Sequence, residues 1–187
     1  PMNEADRIRW DKKYNDKEPP QEIAPDSFLV RSIKGIRPGR ALDLGCGFGD
    51  NAITLAGAGF EVTAVDISQV GLKRAVERAR KAGVSVLFQQ SDAEDFDFGD
   101  QVYDLITSFY FMNRAIFPRI KKSLKPGGIF LYKTYTVDEL RYRPELNRAY
   151  LLEHDELKTL FEDFEILLND ERDTGTECSV RFLARRP

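Results

Sequence analysis

A single histidine, His154, and two cysteines, Cys46 and Cys178, leave almost nothing from which to build a zinc site, and no Cys/His cluster occurs at ligand spacing. No metal is expected. Cys46 lies inside a glycine-rich turn and Cys178 in a strand pattern near the C-terminus, so reduced thiols rather than a disulfide framework are expected. An excess of basic charge is also lacking. The 28 Lys and Arg face 31 Asp and Glu, a net charge of -3 that disfavours a broad phosphate-binding surface. Local clusters at Arg119, Lys121, Lys122 and Lys125, and at Arg141, Arg143 and Arg148, read as solvated faces, and nucleic acid is not an expected partner. No apolar run approaches bilayer-spanning length, and residues 1–6 lack the basic-then-apolar layout of a signal peptide. A cytoplasmic protein without a membrane partner is the expectation.

What is present is the material of a globular core. With 42% hydrophobic and 32% charged residues over 187 positions, one domain spanning 1–187 is expected, with 1–35 as a helical N-terminal cover. Strand-like runs at 41–44, 61–65, 85–89, 103–108 and 128–135 alternate with helical patterns, the order that builds an α/β doubly wound, mostly parallel sheet with helices on both faces. Leu72, Ala75, Val76 and Ala79 share a helix face, with Ser68 placed to cap its start and Gly83 to end it. A later helix carries Ile116, Ile120 and Leu124 and stops at Pro126-Gly127-Gly128. Beyond it come an irregular stretch from 136 to 153, a short helix around Leu157, and strands near 164–168 and 178–184 read as an antiparallel hairpin joined through 169–176. Helices are expected at 4–15 and near 27–33.

The most informative stretch is Ala41-Leu-Asp-Leu-Gly-Cys-Gly-Phe-Gly-Asp-Asn51, an apolar strand, a turn with Gly45, Gly47 and Gly49, then a helix. Such glycines let the chain reverse sharply and bring bare backbone against a ligand. The third glycine comes one residue too early for the dinucleotide-binding pattern, and Asp50 stands where that pattern has glycine. The next strand ends in Asp66, a carboxylate suited to a ribose diol, and Asp92 follows the third strand, where an adenine amine would donate to it. Three successive strand ends thus carry the polar groups an adenosine needs. The alternatives at these positions are an ordinary tight turn and, for Asp92, a helix cap.

This motif set resembles the class I S-adenosylmethionine-dependent methyltransferases over residues 23–187. Trp10-Asp11-Lys12-Lys13-Tyr14, residues 109–119, Leu124-Lys125-Pro126-Gly127-Gly128 and Tyr150-Leu151-Leu152 look like the tellurite-resistance-type small-molecule enzymes of that class. The resemblance implies a seven-stranded sheet of order 3-2-1-4-5-7-6 with strand 7 antiparallel, and S-adenosylmethionine as cofactor. It implies a binding set of Asp43, Gly45, Cys46, Gly47, Gly49, Asn51, Asp66, Ile67, Asp92, Ala93, Ser108 and Tyr14. Within that set the turn would cradle the methionine portion, Asp66 the ribose, and Asp92-Ala93 the adenine.

Methyl transfer from a sulfonium needs proximity, alignment and exclusion of water more than a strong base. The sequence offers no Ser/His/Asp or Cys/His nucleophile set, and no catalytic residue is singled out. Tyr110, Asn113, Arg114, Tyr135, Arg141 and Arg143 are the candidate acceptor residues, with 136–153 as a lid over a small oxyanion, chalcogen or thiol. The rival readings are a nucleic-acid or protein methyltransferase, an NAD-linked oxidoreductase and a non-catalytic S-adenosylmethionine-binding module. Ser108-Phe-Tyr-Phe111 lacks the Asn-Pro-Pro-aromatic segment of amino-methylating enzymes, which weighs against the first.

Overall fold

The structure, a computed structural model, describes residues 2–187; Pro1, the first position of the expected domain and cover, lies outside the described residues. The strands are β1 (Arg40–Leu44), β2 (Glu61–Asp66), β3 (Leu87–Gln90), β4 (Tyr103–Phe109), β5 (Leu124–Tyr135), β6 (Glu165–Asp173) and β7 (Cys178–Arg185). The α-helices are α1 (Glu4–Asn15), α2 (Ser27–Ile33), α3 (Asp50–Gly57), α4 (Gln69–Ala82), α5 (Phe117–Ser123) and α6 (Glu156–Leu160). The sheet has the expected order β3-β2-β1-β4-β5-β7-β6, and β7 runs antiparallel to β5 and β6. The chain is organised in two compact units, one ending at Phe98 and one beginning at Gly99.

In the first unit β1 pairs in parallel with β2, Leu44 opposite Val65, and β2 in parallel with β3, Asp66 opposite Gln90. Ala41, Leu42, Leu44, Ala64 and Val65 are all buried, the near-continuous apolar run of strands with both faces covered. Helix α4 starts and ends where its caps predict: Ser68 Oγ accepts the Gly71 N–H at 3.1 Å, and Gly83 takes φ +71° beyond the last turn. One member of its expected apolar face is misplaced. Val76 is 50% exposed, whereas Arg78 is 8% exposed, so the buried stripe runs through Gly71, Leu72, Ala75, Arg78 and Ala79. A guanidinium can occupy that stripe because polar partners, described below, meet it there.

The second unit is built around stacked aromatics. The Phe130 ring lies 5.2 Å from Tyr132 and 5.3 Å from Phe161, which lies 5.3 Å from Phe182. All four are buried, so truncating Phe161 to Ala should cost about 3–5 kcal/mol. Two boundaries differ from the expected ones. Strand β5 begins at Leu124, not Gly128, because Lys125 to Gly128 continue the strand through a register shift opposite Tyr103 and Leu105. A Cβ at Gly128 would sit 2.8 Å from the Lys125 carbonyl and 3.0 Å from that of Tyr103, which explains the glycine. The hairpin also pairs further than expected, up to Asp173 opposite Cys178, leaving a turn of 174–177 where 169–176 is the expected connection. Asn169 to Asp173 are polar and hid from an apolar pattern. Their partners are charges, Arg181 across the hairpin on Asp170, His154 on Glu171 and Arg141 on Asp173.

Candidate cofactor site

The glycine turn continues the β1 ladder past its last residue. The Gly45 and Cys46 amides both donate to the Val65 carbonyl, at 2.8 and 3.1 Å, which bends the chain across the end of β2. Gly45, Gly47 and Gly49 all hold positive φ, +67°, +54° and +82°. Gly47 then donates its N–H to Asp66 Oδ2 at 2.8 Å, and Ser68 donates its N–H to Asp66 Oδ1 at 2.9 Å. Asp66 is therefore buried, 7% exposed, with one backbone amide on each oxygen. An ionised carboxylate has about four acceptor positions, so each oxygen keeps capacity for a further donor. Burial raises the Asp66 pKa above the ordinary carboxylate value, and the amides of Ser68, Gly47 and Ile67 oppose that rise.

Tyr14 covers the turn. A Cβ on Gly47 would lie 2.8 Å from Tyr14 Oη, and one on Gly71 3.1 Å from its ring. The ring packs edge-on to Phe48 at 4.9 Å and stacks with Trp10 at 5.8 Å. Burial, then the nearby Asp66 and Cys46, push the phenol pKa up, so the hydroxyl stays protonated. Burial together with Asp66 and Asp43 likewise pushes the Cys46 thiol up, which removes the thiolate that a reactive cysteine needs.

The remaining members of the sequence-derived set divide. Asp43 is buried in β1 next to the turn, Ala93 is buried after β3, and the Ile67 carbonyl accepts Gln90 Nε2 at 3.2 Å. Asn51 and Asp92 serve partners within the chain, for Asp92 including the capping role that the sequence left open. Asn51 Oδ1 accepts the Asp26 N–H at 3.1 Å, fixing the start of α2. Asp92 Oδ1 accepts the Glu94 N–H, and its Oδ2 the Asn3 N–H at 3.1 Å, just ahead of α1. Arg78, absent from the set, binds the turn from behind: it donates to the Phe48 carbonyl at 2.7 Å, to the Glu22 carbonyl and to both Asp50 oxygens.

In the second unit Ser108 is buried near the end of β4. Tyr110, directly after that strand, holds φ +56°, a conformation rare outside glycine that the surrounding contacts must enforce. Its ring lies 4.6 Å from Tyr135 and its hydroxyl donates to Glu177 at 2.9 Å. Asn113 caps the short turn that follows, accepting the Ala115 N–H. The arginines are engaged with carboxylates. Arg114 binds both Glu156 oxygens and the carbonyls of Ala149 and Leu151. Arg141 pairs with Asp138 and Asp173, and Arg143 with Glu139 while lying 4.1 Å over the Tyr135 ring. Glu139 is fully buried and also accepts the Cys178 N–H, anchoring the 136–153 stretch to β7.

Residues 41–128 match the family model of a methyltransferase domain, the region that contains the turn, Asp66 and Asp92. The structure of TehB from Haemophilus influenzae superposes with a TM-score of 0.75 and 25% identity, over 97% of this chain and 67% of that one. Residues 41–128 thus carry a methyltransferase domain, within a fold that matches the class I S-adenosylmethionine-dependent methyltransferases. Among curated proteins the chain is 28% identical over 154 residues to hemagglutinin 1 of Eikenella corrodens, covering 78% of this chain and 50% of that protein. It is 34% identical over 114 residues to sterol methyltransferase-like 2 of Botryococcus braunii, covering 56% of this chain and 29% of that one. The chain spans about half or less of the length of these relatives.

The residues fit the cofactor on their own chemistry. The turn exposes backbone that any Cβ would strain, and Asp66 has acceptor capacity for a ribose diol beside it. Among the described residues no group of His, Cys, Asp and Glu could hold a metal ion, and no helix is long and apolar enough to cross a membrane.

Proposed function

We propose that this chain transfers the methyl group of S-adenosylmethionine to a small-molecule acceptor. The observation that carries the reading is the joining of Gly47 to Asp66, which couples a bare turn to a strand-end carboxylate with acceptor capacity left for a diol. When bound, the cofactor supplies an electrophilic methyl on a sulfonium whose leaving group departs neutral. The chain's part is to hold and shield. Asp66 orients the ribose, the turn of Gly45, Gly47 and Gly49 admits the chain of the cofactor, and Tyr14 keeps water from the turn.

For the acceptor, the charge pairing in the second unit favours one class among those that the sequence suggested. Arg114, Arg141 and Arg143 each face a carboxylate, so the electrostatic attraction for a free oxyanion is largely cancelled. Aromatic surface from Tyr110 and Tyr135 remains, a lining that suits a thiol or a heavier chalcogen. A relative named for sterol methylation agrees with a small acceptor in general. The test is a screen that follows S-adenosylhomocysteine release over thiols, selenols, oxyanions, amines, carboxylic acids, tRNA and a protein extract. Release with a thiol or selenol is the expected result. Release with only tRNA or protein would overturn the small-molecule reading, and cofactor binding without release over every acceptor would favour a binding module.

A further inference from the structure

Helix α1 lies on the glycine turn without burying any residue completely, and Ile8, its one aliphatic residue larger than alanine, is 56% exposed. Apart from the Tyr14 ring, its attachment is polar. Asp11 Oδ1 accepts the Ser68 hydroxyl at 2.6 Å and the Val70 N–H at 3.2 Å, at the start of α4, while Oδ2 accepts Arg7 at 2.7 Å. Ser68 is itself the cap of α4, so one carboxylate ties the two helices through the capping hydroxyl. A second tie, from the Asn3 N–H to Asp92, holds the start of α1. Tyr14, one turn after Asp11, is the residue that α1 sets on Gly47.

We infer that Asp11 is the latch of a cover over the cofactor turn: its bond to Ser68 and Val70 seats α1, and that seating positions Tyr14 on Gly47. The inference rests on the cofactor reading above. A helix seated by a wide apolar face stays down because lifting it exposes that face to water. The apolar surface that α1 seats is chiefly the Tyr14 ring, and water can replace the partners of Asp11 when the helix lifts. Opening at this latch then offers a way for the nucleoside to enter and leave while the sheet beneath keeps its structure. Asp11 is a positioning residue: it acts through Tyr14, not on the cofactor.

The chain's only tryptophan, Trp10, sits next to the latch and stacks on Tyr14, so its emission reads the seating of α1 with no ligand present. In Asp11→Ala, Trp10 emission should shift to the red and become more open to acrylamide quenching. The dissociation rate of S-adenosylhomocysteine should rise by about tenfold or more, with the association rate changed far less. Asp11→Asn keeps one acceptor oxygen without the charge and should recover part of both effects. The far-UV melting midpoint should move little in either variant, which separates release of a cover from loss of the fold. Unchanged Trp10 emission in Asp11→Ala would overturn the latch. A shifted Trp10 with unchanged dissociation would overturn its role in positioning Tyr14. Failure of the wild type to bind S-adenosylhomocysteine would sink the cofactor reading instead, with Trp10 still testing whether Asp11 seats α1.

Discussion

The Tyr14 phenol rests on Gly47 so closely that a Cβ on the glycine would come within 2.8 Å of Tyr14 Oη. Gly47 also holds φ +54°, where an alanine is strained by about 1–2 kcal/mol. Gly47→Ala should therefore strain the turn and push Tyr14 off it together. Calorimetric titration with S-adenosylhomocysteine should show at least about a tenfold loss of affinity. Wild-type affinity would mean that the turn has room to spare.

Asp66 carries a structural duty besides the binding one proposed above. Removing it leaves the buried Gly47 and Ser68 amides without their acceptor, at about 1–3 kcal/mol for each group left unsatisfied. Asp66→Ala should thus lower stability in a denaturant titration as well as abolish cofactor binding. A variant that binds no cofactor yet unfolds at the wild-type midpoint would contradict the buried geometry.

His154 faces a carboxylate at each ring nitrogen: Nδ1 lies 2.6 Å from Glu171 and Nε2 3.4 Å from Asp138, with Asp155 next in the chain and paired to Lys158 of α6. Only the imidazolium donates from both nitrogens. The hydrogen bond to Glu171, then its charge, raise the His154 pKa above the ordinary 6.5. Because the folded value is the higher one, this contribution to stability is complete below the ordinary histidine range and is lost as pH rises through the folded pKa. Comparing wild type with His154→Gln from about pH 5 to 9 should show a gap at the acid end that closes toward the alkaline end. A gap that widens with rising pH would reverse the assignment.

Glu139 is a buried carboxylate between the Cys178 amide and Arg143. Glu139→Ala should destabilise by about 1–3 kcal/mol, since it leaves the buried Cys178 amide without its acceptor while the partly exposed Arg143 turns to water. Hydrogen exchange should localise the loss to residues 136–153 and the start of β7. Protection unchanged there would show that the stretch is held by something else.

How much of this could be read in advance depends on the range of the interaction. The turn was legible because Gly45, Gly47 and Gly49 answer a local backbone demand, and α4 because Ser68 and Gly83 cap it from within a few residues. Asp11, Arg78 and Glu139 were not legible as anchors. Their partners lie 57, 28 and 39 residues away, and a charged residue in a helical or loop pattern ordinarily reads as solvated. Asn51 and Asp92 show the converse: the sequence pattern pointed each toward the cofactor, while its side chain holds a segment near the N-terminus. The end of the hairpin hid for a third reason, since Asp170 to Asp173 pair through charge and carry no apolar alternation.

The central claim is that the nucleoside of S-adenosylmethionine binds at the turn beside Asp66. Isothermal titration of S-adenosylhomocysteine into the wild type and into Asp66→Asn, with NADH titrated in parallel, tests it most directly. The account predicts one site per chain for S-adenosylhomocysteine, at least about a tenfold weakening in the variant, and no response to NADH. Equal affinity in the two proteins, or binding of NADH in place of S-adenosylhomocysteine, would contradict it.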